Sequence, residues 1–295
     1  DMLVKMKRAK NADFVITANG LIGGETPYIN YLPEFYQDAY PEFYEKNGRW
    51  IDGFTEDAMK EALGRMADAY AAGIIDNRIT DRSGKDCRTL FEEDKFGVFT
   101  YWAGQWCGTL TDNIRTKNLY QGADREVLVS LPPIAEVGQY LNRIPPQWCI
   151  TTSCKNPEGV FEYYLQKMLD GGKAQLLWEY GAEGTHWSYE NNKFELKSTA
   201  SYPYNHIDGL LKIGGYRSDF NNGVDIGLLT VSTETKISAQ KIFNENNKMA
   251  PRIKKTDKYN VNIATIQTVR KSVIADVVMG KLTVDEGIEK YQREC

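Results

Sequence analysis

Apolar residues recur at steps of three and four across residues 55–73, where Met59, Leu63, Met66, Ala67 and Tyr70 fall on one face of a helix. Thr55 is placed to cap that helix, Glu56 and Asp57 sit in its first turn, and Gly73 ends it. A second helix is predicted over residues 263–280, with Gly280 suited to the left-handed position past a helix end. A short helix follows to Gln292, where Thr283 as N-cap and Glu286 three residues on form a capping box. Further helices are predicted from Leu90, over residues 106–116, from Asn156 and Pro157 to about Asp170, over 174–179 and over 232–249. Met2, Leu3 and Met6 also keep helical spacing.

Short apolar runs predict strands over residues 13–17, 96–101, 127–131 and 148–152. Residues 183–197 read as a small hairpin turning at Asn191 and Asn192, and residues 201–222 as irregular polar chain. Residues 19–30 are a loop, with Gly20, Gly23, Gly24 and Pro27 as turn signals. Strands alternating with helices give an α/β fold class.

Composition narrows the function classes. A net charge of −4, from 36 basic and 40 acidic residues, leaves no basic surplus for a phosphate backbone, so no nucleic-acid partner is expected. No apolar stretch approaches the roughly 18 residues of a membrane span. Only His186 and His206 are present, which makes a histidine-based triad or a His-rich metal site a poor reading; no P-loop or GxGxxG occurs, and no cofactor or metal is expected. The cysteines Cys87, Cys107, Cys149, Cys154 and Cys295 are odd in number and lack zinc spacing. Tyrosine stands out at 18 residues, beside 6 Trp and 11 Phe; most belong to core and surface, and a minority in loops suggest a binding surface.

Several segments, in order, resemble the sugar-type extracellular solute-binding proteins of ABC importers, the maltose-binding-protein-like family. They are GFTEDAMKEALGRMADAYAAGIID (53–76), LFEEDKFGVFTYWAGQW (90–106), VLVSLPPI (127–134), WCITTSCKNPEGVFEYYLQKMLD (148–170) and the helix, glycine, T-x-D-E, helix ending. YGAEGTHWSYENNKFE (180–195) is similar to the lipoprotein branch common in Gram-positive bacteria. The resemblance implies a type II periplasmic-binding-protein-like fold, with two lobes, a hinge and an interlobe cleft. Residues 1–143 would be the first part of the C-terminal lobe, 144–230 a returning part of the N-terminal lobe, and 231–295 the closing helices of the C-terminal lobe. It also implies an N-terminal portion ahead of Asp1, a saccharide ligand, ABC permease subunits as partners and a monomer. The expected location is extracellular, at the cell surface through a lipid anchor outside this chain, or periplasmic. A secreted glycoside hydrolase and a cell-surface adhesive module are the alternatives.

A saccharide site needs flat aromatic faces for the apolar side of a ring and planar polar groups for its hydroxyls. The loop Tyr101, Trp102, Ala103, Gly104, Gln105, Trp106 follows a predicted strand end, where open α/β sheets place ligands. Trp102, Tyr101 and Trp106 are therefore candidates, although Trp106 also suits the inner face of its helix. By the resemblance, Trp148 lies at the hinge crossing, as a cleft floor or as hinge packing, and Tyr28 and Asn30 line the cleft. Trp187 and His186 read as support, and Trp50 and Trp178 as structural. Arg270 reads equally as facing the cleft or the surface.

Overall fold

The computed structural model describes residues 2–23, 30–102, 105–117, 128–142, 149–168, 174, 177, 182–190, 193–196, 234–251 and 255–295. The chain divides into two units, Asp1–Ile144 with Thr235–Cys295, and Pro145–Glu234.

The first unit opens with helix α1, Met2–Lys10. An extended segment follows in which Ile16 makes parallel bridges to Ile75 and to Val98. Val15 N–H donates to Ile74 O at 3.0 Å, Asp76 N–H to Ile16 O at 3.0 Å and Gly97 N–H to Val15 O at 3.2 Å. Three extended segments thus lie side by side, but pairing stays at single bridges rather than the full strands expected at 13–17 and 96–101. Helix α2, Pro33–Tyr36, begins on its proline. Strands β1, Phe43–Lys46, and β2, Arg49–Asp52, form an antiparallel hairpin. Its turn residues Asn47 and Gly48 both take positive φ, at 54° and 74°, which matches the twist of the strands.

Helix α3 spans Asp57–Ala71. Thr55 is not its cap: it sits in a 3₁₀ turn, Gly53–Thr55, and its hydroxyl donates to Asp52 O at 3.0 Å. Gly73 takes φ 64° past the helix end, as its placement predicted. Helix α4, Gly84–Glu92, starts earlier than expected because Ser83 and Asp86 form a capping box. Helix α5 is Gln105–Thr116 and strand β3 is Tyr140–Asn142. The strand expected over 127–131 does not form among its described residues, where Val129 and Leu131 are exposed.

In the second unit Asn156 caps helix α6, Pro157–Val160, its side-chain oxygen accepting from Gly159 N–H. A π-helical turn, Phe161–Leu165, leads into α7, Gln166–Met168. Residues 149–152 are described but not strand. Strands β4, Trp187–Glu190, and β5, Lys193–Leu196, pair antiparallel, and the Asn191–Asn192 turn lies outside the described residues.

The chain continues with α8, Glu234–Glu245, and β6, Asn247–Met249, the latter parallel to β3. The helix expected to reach residue 249 stops at 245, where the Asn246 and Asn247 side-chain amides donate to Ile242 O and Phe243 O. Helix α9, Asp257–Val278, starts six residues before the predicted one because Thr256 caps it through Tyr259 N–H. Helix α10, Val284–Glu294, carries the predicted Thr283–Glu286 capping box.

Met59, Ala62, Leu63 and Met66 of α3 pack in one core with Val273, Ile274 and Val277 of α9 and Ile288 and Tyr291 of α10. Full burial of each large side chain contributes about 1.5–3 kcal/mol. Gly287 lets α10 approach α9, since a Cβ there would meet Val277 Cγ2 at 2.5 Å and Val273 Cγ1 at 3.2 Å.

Arg270 sits in this core with 0% exposure, so neither the cleft nor the surface reading holds for it. Nη1 donates to Glu42 Oε2 and Nη2 to Asp52 Oδ1, each at 2.9 Å. The guanidinium lies over the rings of Phe43, Phe54 and Tyr291 at 4.8, 5.7 and 5.6 Å. Tyr291 hydroxyl donates to Asp52 Oδ2 at 2.7 Å. Burial disfavours the Arg270 charge, but Glu42, Tyr291 and Asp52 outweigh it and hold its pKa above the ordinary value.

Arg270→Ala is expected to destabilise the protein by roughly 3–5 kcal/mol, because it strands two carboxylates in a largely buried site. Urea denaturation of the variant checks this. A loss under about 1 kcal/mol would mean that the pair is not structural.

Candidate functional site

A run of aromatic rings leads from the core of the first unit to the loop singled out in the sequence. Phe14 contacts Phe96 at 5.8 Å between centroids, and Phe96, Phe91 and Phe99 lie within 5.1–5.5 Å of one another. Phe99 stacks on Tyr101 at 4.9 Å, Tyr31 stacks on Tyr101 at 6.0 Å, and Trp106 meets Tyr101 edge-on at 5.3 Å. Each such pair adds about 0.5–1.5 kcal/mol beyond area burial, so residues 96–101 hold the loop in place.

The α4 capping box fixes the start of the helix that carries Arg88. Its Nη1 donates to Tyr101 hydroxyl at 2.6 Å, and its guanidinium lies over the Trp106 ring at 4.8 Å. Trp102 and Trp106 are both half-buried. Of the predicted site residues, Tyr101 and Trp106 come together directly and Trp102 is joined to Tyr101 in sequence. Asn30 lies next to Tyr31, and its side-chain oxygen accepts from Leu32 N–H at 2.9 Å, setting up the start of α2. Tyr28 and Trp148 lie outside the described residues.

Sequence reasoning missed Arg88, Tyr31, Thr100 and Glu34. The Ser83–Asp86 pattern signals the helix that carries Arg88, and Pro33 the helix that carries Glu34, but neither signal gives the residue its role. Thr100 hydroxyl donates to Glu34 Oε1 at 3.0 Å, which brings α2 against the end of the 96–101 segment. Glu34 Oε2 is shielded from solvent and has no hydrogen-bond partner among the described residues. Burial raises the Glu34 pKa, and its own backbone N–H and the Thr100 hydroxyl offset this only in part. The Tyr140 phenol is also raised, first by burial and then by the Glu34 charge, while its hydroxyl donates to Leu131 O at 3.1 Å. The result is a partly exposed aromatic cluster holding a cation and a carboxylate that are not paired with each other. Such a surface can stack on a ring and hydrogen-bond its polar edge.

Other polar groups are committed internally. Asp76 is buried and accepts from Thr17 hydroxyl, Arg78 N–H and Arg82 Nε at 3.0, 3.0 and 2.7 Å. Burial pushes the neighbouring Cys87 thiol up to about 11, which removes it as a nucleophile. Trp187 is buried, and His186 Nδ1 accepts from Ala182 N–H at 2.8 Å, in keeping with a supporting role. Trp50, read as structural, is exposed on β2, and Trp178 lies outside the described residues. In the second unit Ile150, Pro157, Phe161 and Gln166 line a shallow apolar depression flanked by Glu158 and Glu162. Among the described residues no group of three or more His, Cys, Asp or Glu is placed to hold a metal ion. Among them also, no helix is long and apolar enough to cross a membrane.

No protein-family model matches the chain, and no curated protein matches it. Among solved structures it is similar to the crystal structure of the alginate-binding protein AlgQ2 without calcium ion. The TM-score is 0.59 and the sequence identity 18%, over 99% of this chain. The chain spans 62% of the length of that protein. The likeness establishes a shared fold with a binding protein.

Glu34 makes stability depend on pH with a defined sign. Its folded pKa lies above the unfolded one, so between the two values the native state binds more protons, and stability falls as pH rises through that window. Glu34→Gln is expected to flatten this part of the stability curve, measured by denaturation from the unfolded carboxylate pKa up to neutrality. An unchanged curve would mean that Glu34 titrates normally.

Proposed function

We propose that this protein is the substrate-binding component of an ABC importer and captures a carbohydrate for uptake. The observation that carries the reading is the aromatic cluster of Tyr101, Trp106 and Arg88, placed where the 96–101 segment ends. A fold shared with an alginate-binding protein supports it. The colinear sequence resemblance to sugar-type solute-binding proteins supports it independently.

In this reading Trp102 and Trp106 offer ring faces to the apolar side of a pyranose, and Tyr101 and Arg88 hold Trp106 in position. Tyr28, Asn30 and Trp148 complete the proposed set of ligand contacts. Residues 1–143 and 231–295 act as the C-terminal lobe and 144–230 as part of the N-terminal lobe, with the ligand taken in a cleft between lobes. The ligand stabilises a closed form through its higher affinity for it. Micromolar capture needs about −8 kcal/mol, which a few stacked rings and several hydrogen bonds can supply. The proposed partners are membrane permease subunits, the protein working as an extracellular monomer tethered by a lipid anchor. Binding without turnover separates it from a glycoside hydrolase, which needs two placed carboxylates.

The test is a thermal-shift and calorimetric screen against mono- and oligosaccharides. Saturable binding that raises Tm with no product released is the expected result. Trp102→Ala is expected to weaken the best ligand at least about tenfold, roughly 1.4 kcal/mol, with an unchanged fold by circular dichroism. Product formation would move the reading to an enzyme, and the absence of any saccharide effect would move it to an adhesive module.

A further inference from the structure

Building on the saccharide-binding reading, we propose that Glu34 is the polar anchor of the site, accepting a hydrogen bond from a ligand hydroxyl and selecting neutral saccharides over sugar acids.

Glu34 is anchored through one oxygen only. Oε1 accepts from Thr100, the residue just before Tyr101, while Oε2 has no donor among the described residues. A carboxylate oxygen that is buried and unpaired costs free energy, more so when the group is charged. Native proteins rarely leave one without a reason. The surroundings are those of a binding surface rather than a closed core. Tyr31 and Tyr101 stack beside the carboxylate's own turn and its Thr100 partner, and Tyr140 lies close enough to feel its charge. Glu34 itself keeps partial solvent exposure although Oε2 does not, so a ligand hydroxyl reaches Oε2 only where the carboxyl group turns toward it. What Oε2 lacks among the described residues is a hydrogen-bond donor. A sugar hydroxyl supplies that donor while the C–H face of the sugar lies on a ring.

The same arrangement disfavours a sugar acid. A second carboxylate beside Glu34 would set two like charges in a poorly hydrated place, where each opposes the ionisation of the other. Among the described residues the cation of the aromatic cluster is Arg88. Its Nη1 is committed to Tyr101 hydroxyl and its plane covers Trp106, so it serves the rings rather than Glu34.

The experiment uses calorimetry on the wild type and Glu34→Gln, with maltotriose, cellotriose, xylotriose and mannotriose as neutral probes and trigalacturonate as the acidic one. Tm of the ligand-free proteins is read in parallel. The wild type is expected to bind at least one neutral trisaccharide at least about tenfold more tightly than trigalacturonate. Glu34→Gln should weaken that neutral ligand by a similar factor while leaving Tm equal or higher, since it removes a charge that the fold does not satisfy. Neutral affinity within about twofold of wild type in Glu34→Gln overturns the proposal and leaves the saccharide reading standing. Tighter binding of trigalacturonate by the wild type does the same. Loss of binding together with a lowered Tm assigns Glu34 to folding and also overturns it. A wild type that binds none of the probes removes both readings.

Discussion

The first unit is organised around the charge of Arg270. One guanidinium, supplied by α9, holds Glu42 ahead of β1 and Asp52 at the end of β2, and three aromatic rings enclose it. Asp52 also accepts from Tyr291 of α10 and from Phe54 N–H of the turn leading to α3. A hairpin and three helices therefore share one electrostatic centre. The approach is so close at Gly53 that any Cβ would run into the Tyr40 carbonyl. From there the constraint passes outward through α3. Arg65 Nε donates to Phe35 O at 2.9 Å, pinning α2, and α2 carries Glu34 to the candidate site. The placement of a proposed ligand contact thus traces back to a buried ion pair in the core.

The candidate site uses the opposite economy of charge. Around Arg270, opposite charges meet directly at both Nη atoms, although its buried Nε also has no hydrogen-bond partner among the described residues. Around Tyr101, the cation Arg88 is held by rings and a phenol without a counter-charge among these contacts, and the Glu34 carboxylate is left half-satisfied among the described residues. A core interaction maximises internal pairing because nothing else will arrive. A recognition surface keeps groups in reserve, with rigid aromatic support so that ordering them costs little on binding.

Elements defined by local chemistry were legible in the sequence. The Thr283–Glu286 capping box, Pro157 with Asn156, and Gly73 and Gly280 past their helix ends all act within a few residues. The expected strands were less so, since 13–17 and 96–101 pair only at single bridges and 127–131 not at all in its described part. An apolar run says that a segment is buried, but not how long its partner stays in register. The β1–β2 hairpin went unread despite its Asn-Gly turn, because the flanking strands are aromatic and charged rather than cleanly alternating. At the site, Trp106 and Tyr101 could be seen as a loop pattern. Arg88 and Glu34 could not, because their roles depend on contacts across 13 and 66 residues of chain. Arg270 read as surface or cleft because a lone arginine on a helix gives no sign of carboxylates more than two hundred residues away.

Helix α1 is fastened differently from the rest. None of its residues is buried, and it is held by Lys7 donating to Gly73 O at 2.8 Å, by the Lys10–Asp94 ion pair, and by Met6 lying over Gly97. The Lys7 ammonium meets the carbonyls just past the end of α3, the electronegative pole of that helix. A segment that meets the core only through the half-buried Leu3 and Met6, and is otherwise held by charged groups, opens at lower cost than the global unfolding transition, and salt loosens its charged contacts further. Its amides should exchange with solvent long before those of α3 or α9. Because Met6 covers Gly97, the second residue of the 96–101 segment, such an opening uncovers the backbone of the segment that ends at the candidate site.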